Sequence, residues 1–188
     1  RFTRALLTAA CTAGAQFRLG TVESIERDPV KNQVSGITVD GRFLSADAVV
    51  IAMGPWSLLA TQWLPLPAIY GLKGYSITLS PNTPVTADAL FLDYEDQLGE
   101  RHGPELIPRA DGEVYLCGFS GDDPLPVSPE DVSIDDTACN RLRVLAGRVS
   151  TVLAEATVVQ HQACYRPICE DAMHVVGAIQ GTRGAYVA

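Results

Sequence analysis

The chain has 188 residues, 47% hydrophobic and 19% charged, the balance of a globular protein of one domain to one and a half, not of a disordered segment. Its net charge of −8, with 14 basic residues scattered along the chain, argues against a surface that tracks nucleic-acid phosphates. No apolar run reaches the length of a membrane-spanning helix.

At the start, Phe2, Leu6, Ala9 or Ala10 and Ala13 recur at helical spacing and predict a helix that stops at Gly14. The runs "AQFRLG", "TVESIERD" and "QVSGITVDG" follow as short strands of an antiparallel meander, with turns at Asp28-Pro29 and Asp40-Gly41. "RFLSADAVVIAM" alternates and then becomes continuously apolar, as a strand does in a sheet covered on both faces. "PWSLLATQWL" predicts a short helix with Pro55 in its first turn.

After "LPLP" the pattern changes to strands separated by turns: "AIYGLKGYSITLS", "ALFLDYE", "PELIPRA" and "EVYLCGFS", with Asp111-Gly112 as the strongest hairpin signal. Residues 130–155 predict one long helix, capped by Ser133, with Leu142, Leu145, Val149, Val152 and Leu153 on one face. "TVVQHQACYRPIC" and "MHVVGAI" close as strands. The order predicts a piece of an α/β layer, then a mostly antiparallel sheet crossed by a long helix, then a return. Such a plan puts a ligand site in the crevice between two parts.

The five cysteines, Cys11, Cys117, Cys139, Cys164 and Cys169, show neither a C-x-x-C pair nor zinc-like spacing. Reduced, mostly buried thiols in an intracellular protein are expected. The histidines give no metal-ligand spacing: His102 is expected solvated in a loop, His161 and His174 on strands. No metal is expected. The chain opens on Arg1 and closes on "GAYVA", the beginning of a strand, so an excerpt of a longer protein is expected.

Five segments in order resemble the FAD-dependent oxidoreductases that include D-amino-acid oxidase, glycine oxidase and monomeric sarcosine oxidase. "RFTRALLTAACTAGAQFRLGTVESI" is similar to the family's helix and first hairpin, and "ADAVVIAMGPWS" to its strand and glycine turn beside the flavin. "GLKGYSITLS" is similar to the strand leading into the substrate domain, "ELIPRADGEVYLCG" to its Pro-Arg hairpin, and "CYRPICEDAMHVVG" to the Arg-Pro segment that returns toward the flavin. The resemblance implies a partial Rossmann-like FAD-binding domain over 1–64, a mostly antiparallel β substrate domain over 65–170 and a return over 171–188. It also implies what this chain lacks: the G-x-G-x-x-G unit that holds the FAD pyrophosphate, and the closing Gly-His segment. An isolated fragment of this kind is not expected to retain FAD.

The same resemblance assigns roles residue by residue. Val22 matches a hairpin position that offers backbone groups to the adenine. Ala52 and Gly54 match the turn where backbone approaches the cofactor, and Trp56 would pack beside it. Cys164 matches the cysteine that attaches FAD covalently in sarcosine oxidase-like members, against the alternative of a packing thiol. Arg166 matches the arginine that holds the substrate carboxylate, a planar two-pronged contact, against the alternative of a structural pair with Asp171. Lys73 either reaches flavin or substrate or pairs with an acidic residue.

Glu105 stands where glycine oxidase-like members place a substrate-contacting tyrosine, so glycine and sarcosine are not implied. "GFSGDD" stands where sarcosine oxidase-like members carry an oxygen-activating lysine, so the electron acceptor stays open. The implied activity is oxidation of a C–N bond in a small amine or amino acid by hydride transfer to flavin. The alternative is a protein of the same fold that serves assembly or trafficking through a protein partner.

Overall fold

The structure, a computed structural model, describes residues 2–188. Helix α1 (Phe2–Thr12) leads into β1 (Val22–Asp28), β2 (Gln33–Val39), β3 (Arg42–Ser45), β4 (Val49–Ile51) and a 3-10 helix (Gly54–Gln62). Then come β5 (Ile69–Ser80), β6 (Leu90–Phe91), β7 (Tyr94–Glu95), β8 (Arg101–His102), β9 (Glu105–Pro108) and β10 (Val114–Gly121). A 3-10 turn (Pro129–Asp131), helices α2 (Asp136–Val149) and α3 (Thr151–Ala154), and strands β11 (Thr157–Cys169), β12 (Gly177–Ala178) and β13 (Ala185–Val187) complete the chain. This mixture of helix and open sheet agrees with the α/β class expected, with α+β character in its longer part.

One compact unit runs up to Ile51 and adds Thr61–Pro65 and Val176–Ala188. Its antiparallel meander is β1-β2-β3. Asp28 makes the first turn by accepting the backbone N–H groups of Val30 and Lys31 on its Oδ1, at 2.8 and 3.0 Å. Asp40 and Gly41 make the second with φ of 48° and 73°, the left-handed pair that matches the twist of a hairpin. The strand expected over 15–20 does not form: the segment is exposed and pairs with no strand among the described residues. The unit's other sheet has the order β12-β13-β4, with β13 parallel to β4 from Ala185↔Val49 to Val187↔Ile51. Val50 is 58% exposed, so among the described residues this strand is not covered on both faces.

The other unit comprises Ala52–Ala60 and Leu66–Val175. Its five-stranded sheet, β11-β5-β10-β9-β6, is antiparallel throughout. Side chains alternate across a pleated strand, so the register sorts them onto two faces. One face carries Tyr75, Ile77 and Leu79 of β5, Leu106 of β9, and Val114, Leu116 and Phe119 of β10. These pack with Cys139, Leu142, Leu145 and Ala146 of α2 into the hydrophobic core. The opposite face carries Gly74, Ser76, Cys117, Glu105, Cys164 and Arg166, brought side by side by the pairs Cys117↔Ser76, Cys117↔Glu105 and Cys164↔Gly74.

A bulge in β10 between Cys117 and Phe119 lets this sorting continue: Phe119 returns to the core face and Ser120 to the open one. Gly118 sits in the bulge, where a Cβ would meet Pro104 Cα at 2.6 Å. Only glycine admits that backbone approach.

The long helix departs from expectation at both ends. It splits into α2 and α3, with Ser150 extended between them at φ −152° and ψ 136°. Its cap is Asp135, whose Oδ1 accepts the Thr137 N–H at 2.7 Å, and not Ser133. Ser133 instead accepts a hydrogen bond from Lys73. The segment after Pro55 is helical as expected, but as a 3-10 helix.

Candidate functional site

Arg166, Glu105 and Cys164, singled out separately in the sequence, line one cavity of about 510 Å³ on the open face of the five-stranded sheet. Gly74, Ser76, Tyr115, Cys117 and Ser120 contribute to its walls, and the loop carrying Glu100, Arg101 and His102 forms one side. The site is therefore a product of strand register. Four strands, drawn from three separate stretches of the sequence, present alternate residues to one surface.

Arg166 lies across Gly74. A Cβ built on Gly74 would stand 3.8 Å from Arg166 Nε and 4.0 Å from Nη2, so the missing side chain gives the guanidinium its bed. Beyond it, Arg166 Nη2 donates to Ser120 Oγ at 3.1 Å. The structural alternative, a pair with Asp171, is not what forms: Asp171 Oδ1 accepts the Met173 N–H at 3.0 Å. Among the described residues Arg166 makes no ion pair, which leaves its remaining donors for an anion. Glu105 is exposed and also makes no ion pair among the described residues.

Both charges act on the cavity floor. Burial pushes the Cys117 thiol above its ordinary value; the Glu105 charge adds to the rise and Arg166 opposes it. Burial likewise raises the Tyr115 phenol, against a hydrogen bond with Ser76 that lowers it. Neither group is activated as a nucleophile or base near neutral pH. Cys164 is exposed on the same face, and its thiol is free, as all five are. Of the five only Cys139 is buried, so mostly buried thiols are not what forms: alternation turned Cys164 outward.

Lys73 does not line this cavity. It stands next to Gly74 in the chain, so the pleat sends it to the core face, where its side chain is 2% exposed. Its Nζ lies 3.3 Å from Asp123 Oδ2, donates to Ser133 Oγ at 3.0 Å, and sits 5.4 Å from the Tyr75 ring centre and 5.9 Å from that of Tyr165. Buried ammonium is costly unless so enclosed. Tyr75 Oη donates to Asp123 at 2.7 Å. That hydrogen bond first, and Lys73 second, hold the Asp123 carboxyl below the usual range. Burial and the same bond push the Tyr75 phenol far above its ordinary value.

Of the residues assigned to the cofactor, Ala52 is exposed and Gly54 has φ +55°, with nothing within 4 Å of the place a Cβ would take. The backbone at this turn is open to close approach, which fits a cofactor chain laid along it. Trp56 is turned inward: Nε1 donates to Pro126 O at 2.8 Å and the ring meets Tyr165 edge-on at 6.4 Å. Val22 opens β1 in the other unit, opposite Val39.

Some participants were not visible in the sequence. Ser120 and Gly74, which seat Arg166, became recognisable only through register. His102 is half-buried and not solvated: Nε2 lies 3.2 Å from Asp96 Oδ2 and the ring packs on Phe119 at 4.8 Å. Arg141 reaches the same Asp96 oxygen at 3.0 Å. His161 stands 3.3 Å from Asp136 on β11, whereas His174 lies exposed outside any strand, because only Gly177–Ala178 of its segment pairs. Among the described residues no group of His, Cys, Asp and Glu is arranged to hold a metal ion, and no helix is long and apolar enough to cross a membrane.

Comparison with known proteins places this geometry in a family. Residues 1–188 match the family described as FAD dependent oxidoreductase. An oxidoreductase of Schizosaccharomyces pombe is 30% identical over 125 residues, covering 66% of this chain and 32% of that protein. Iminodiacetate oxidase from Chelativorans sp. BNC1 superposes on 99% of this chain with a TM-score of 0.82 at 18% identity, using 47% of its own chain. Glycine oxidase from Geobacillus kaustophilus superposes on 98% with a TM-score of 0.81 at 23% identity, using 46%. The chain thus spans about half the length of these solved relatives and a third of the yeast one.

Proposed function

This chain belongs to the FAD dependent oxidoreductase family, and from that premise we propose that the whole protein oxidises a C–N bond in a small amine or amino acid bearing a carboxylate. The observation that carries the reading is Arg166: a guanidinium laid over Gly74, held by Ser120 and without an acidic partner, beside a cavity. A planar fork with free donors binds and orients a carboxylate in two-pronged fashion. Bound FAD supplies the two-electron acceptor for the hydride that leaves the carbon next to nitrogen.

The chain's own residues bind and orient. Arg166 fixes one end of the substrate, and the Gly74–Ser76 and Cys117 surface forms the floor under it. Ala52 and Gly54 would hold FAD through open backbone groups, and Val22 would offer backbone to its adenine. Trp56 supports Tyr165, the neighbour of Arg166 on β11. In this reading residues 1–64 contribute to the FAD-binding domain, 65–170 form the substrate domain and 171–188 return to the FAD side.

The test is the visible absorption spectrum of the full-length protein, followed by anaerobic addition of amino acids and secondary amines. Flavin absorbance that bleaches on addition supports the reading. A folded full-length protein without flavin would sink it. Acid precipitation divides the flavin question further: flavin in the pellet assigns Cys164 to covalent attachment, and flavin in the supernatant leaves it a cavity-lining thiol.

A further inference from the structure

We infer that the cavity takes an amino acid carrying a second, cationic group, with Glu105 as the residue that selects it. The inference rests on the carboxylate-binding role given to Arg166 above, and it names the class of substrate.

Two charges of opposite sign line this cavity, Arg166 on β11 and Glu105 on β9, and among the described residues neither makes an ion pair. The guanidinium is anchored at Ser120, while Glu105 lies in register with Cys117, three residues back along β10. That interval is at most roughly 10 Å at ordinary strand rise, shortened by the Gly118 bulge. The two side chains line a common space without forming an ion pair among the described residues. Charges of opposite sign held apart across a cavity suit a ligand with complementary charges at its two ends.

The surroundings sharpen the sign. Glu100 lines the same cavity and makes no ion pair among the described residues. Arg101, which lines the cavity beside it, is drawn to Glu95 at 3.7 Å. Glu100 and Glu105 therefore both bring negative charge to the cavity lining. A neutral apolar side chain placed there would leave carboxylates facing it, and an acidic one would be repelled. An ammonium or guanidinium at the end of several methylenes meets both requirements: it reaches Glu105 while the α-carboxylate lies on Arg166. The carbon that gives up its hydride is then the one bearing both the amine and the carboxylate, as in the reading above.

The deciding experiment compares lysine with norleucine, in both enantiomers, on the full-length flavoprotein by anaerobic flavin reduction and by turnover. The two substrates share a six-carbon chain and differ in the terminal ammonium. Lysine should be favoured in kcat/KM by about 10- to 100-fold, a span set by a charge-assisted contact, and the preference should shrink as salt is raised. Glu105→Gln should bring the ratio to within about threefold by weakening lysine alone, and Glu105→Lys should turn the preference toward glutamate. The visible spectrum and thermal midpoint of each variant check that it folds and holds flavin. If norleucine and lysine react equally, or the ratio survives Glu105→Gln, the cationic subsite is overturned while amino-acid oxidation stands. If none of these amino acids reduces the flavin, but an amine without a carboxylate does, the reading of Arg166 falls and this inference falls with it.

Discussion

The two faces of the five-stranded sheet are made by the same strands, and they differ in kind. Lys73, Tyr75, Ile77 and Leu79 point one way from β5, while Gly74 and Ser76 point the other. The first set is sealed by α2, and even its one cation is enclosed by a carboxylate, a hydroxyl and two rings. The second carries Arg166 and Glu105, which make no ion pair among the described residues and line a cavity. A strand can therefore stabilise the fold with one parity of residues and present a binding surface with the other. The comparison also explains why adjacent residues as different as Lys73 and Gly74 have unrelated roles.

Substitutions on each face in turn, with stability and activity measured on the same full-length protein, separate the two roles. Leu142→Ala empties a fully buried position on α2 and should cost about 3 kcal/mol in denaturant unfolding. An effect within about 0.5 kcal/mol would show that α2 does not seal this face. On the other face Arg166→Gln should leave unfolding unchanged and lower kcat/KM for a carboxylate substrate by about 10- to 100-fold, chiefly through KM, as expected for a lost charge-assisted contact. Arg166→Lys should recover only part of that loss, because an ammonium lacks the planar fork.

A smaller effect isolates the floor. Gly74→Ala meets the guanidinium at ordinary contact distance, so it should change KM by no more than about twofold. Gly74→Val crowds Arg166 and should raise KM by about tenfold with stability retained. Equal behaviour of the two variants would show that Gly74 does not seat the arginine.

The smallest effect is in pH. Asp123 has its native value lowered by Tyr75 and then Lys73, so its contribution is complete above the unfolded carboxylate value of about 3.9. It should be lost as pH falls below that value through the native one. Comparing acid unfolding of the wild type with Asp123→Asn measures this, and the variant should lose that portion of the acid sensitivity. Coincident acid curves would remove the Lys73–Asp123–Tyr75 group from the account of stability.

Periodicity, turn chemistry and short motifs by themselves determined much of this protein. Alternating apolar runs located β1, β2, β5, β10 and β11, and the Asp-Gly pairs located two hairpins, because both signals are local properties of the backbone. Family resemblance, also carried by local segments, singled out Arg166, Glu105 and Cys164 before their proximity was known. What the tertiary structure alone decided was which residues share a surface. The diversion of Ser133 to Lys73, the packing of His102 on Phe119, and the seating of Arg166 on Gly74 and Ser120 all depend on partners outside the local segment. The Arg166 seat is set by strand register and by the Gly118 bulge that shifts it. Register is a relation between segments, and a one-residue slip would exchange the core face for the open one.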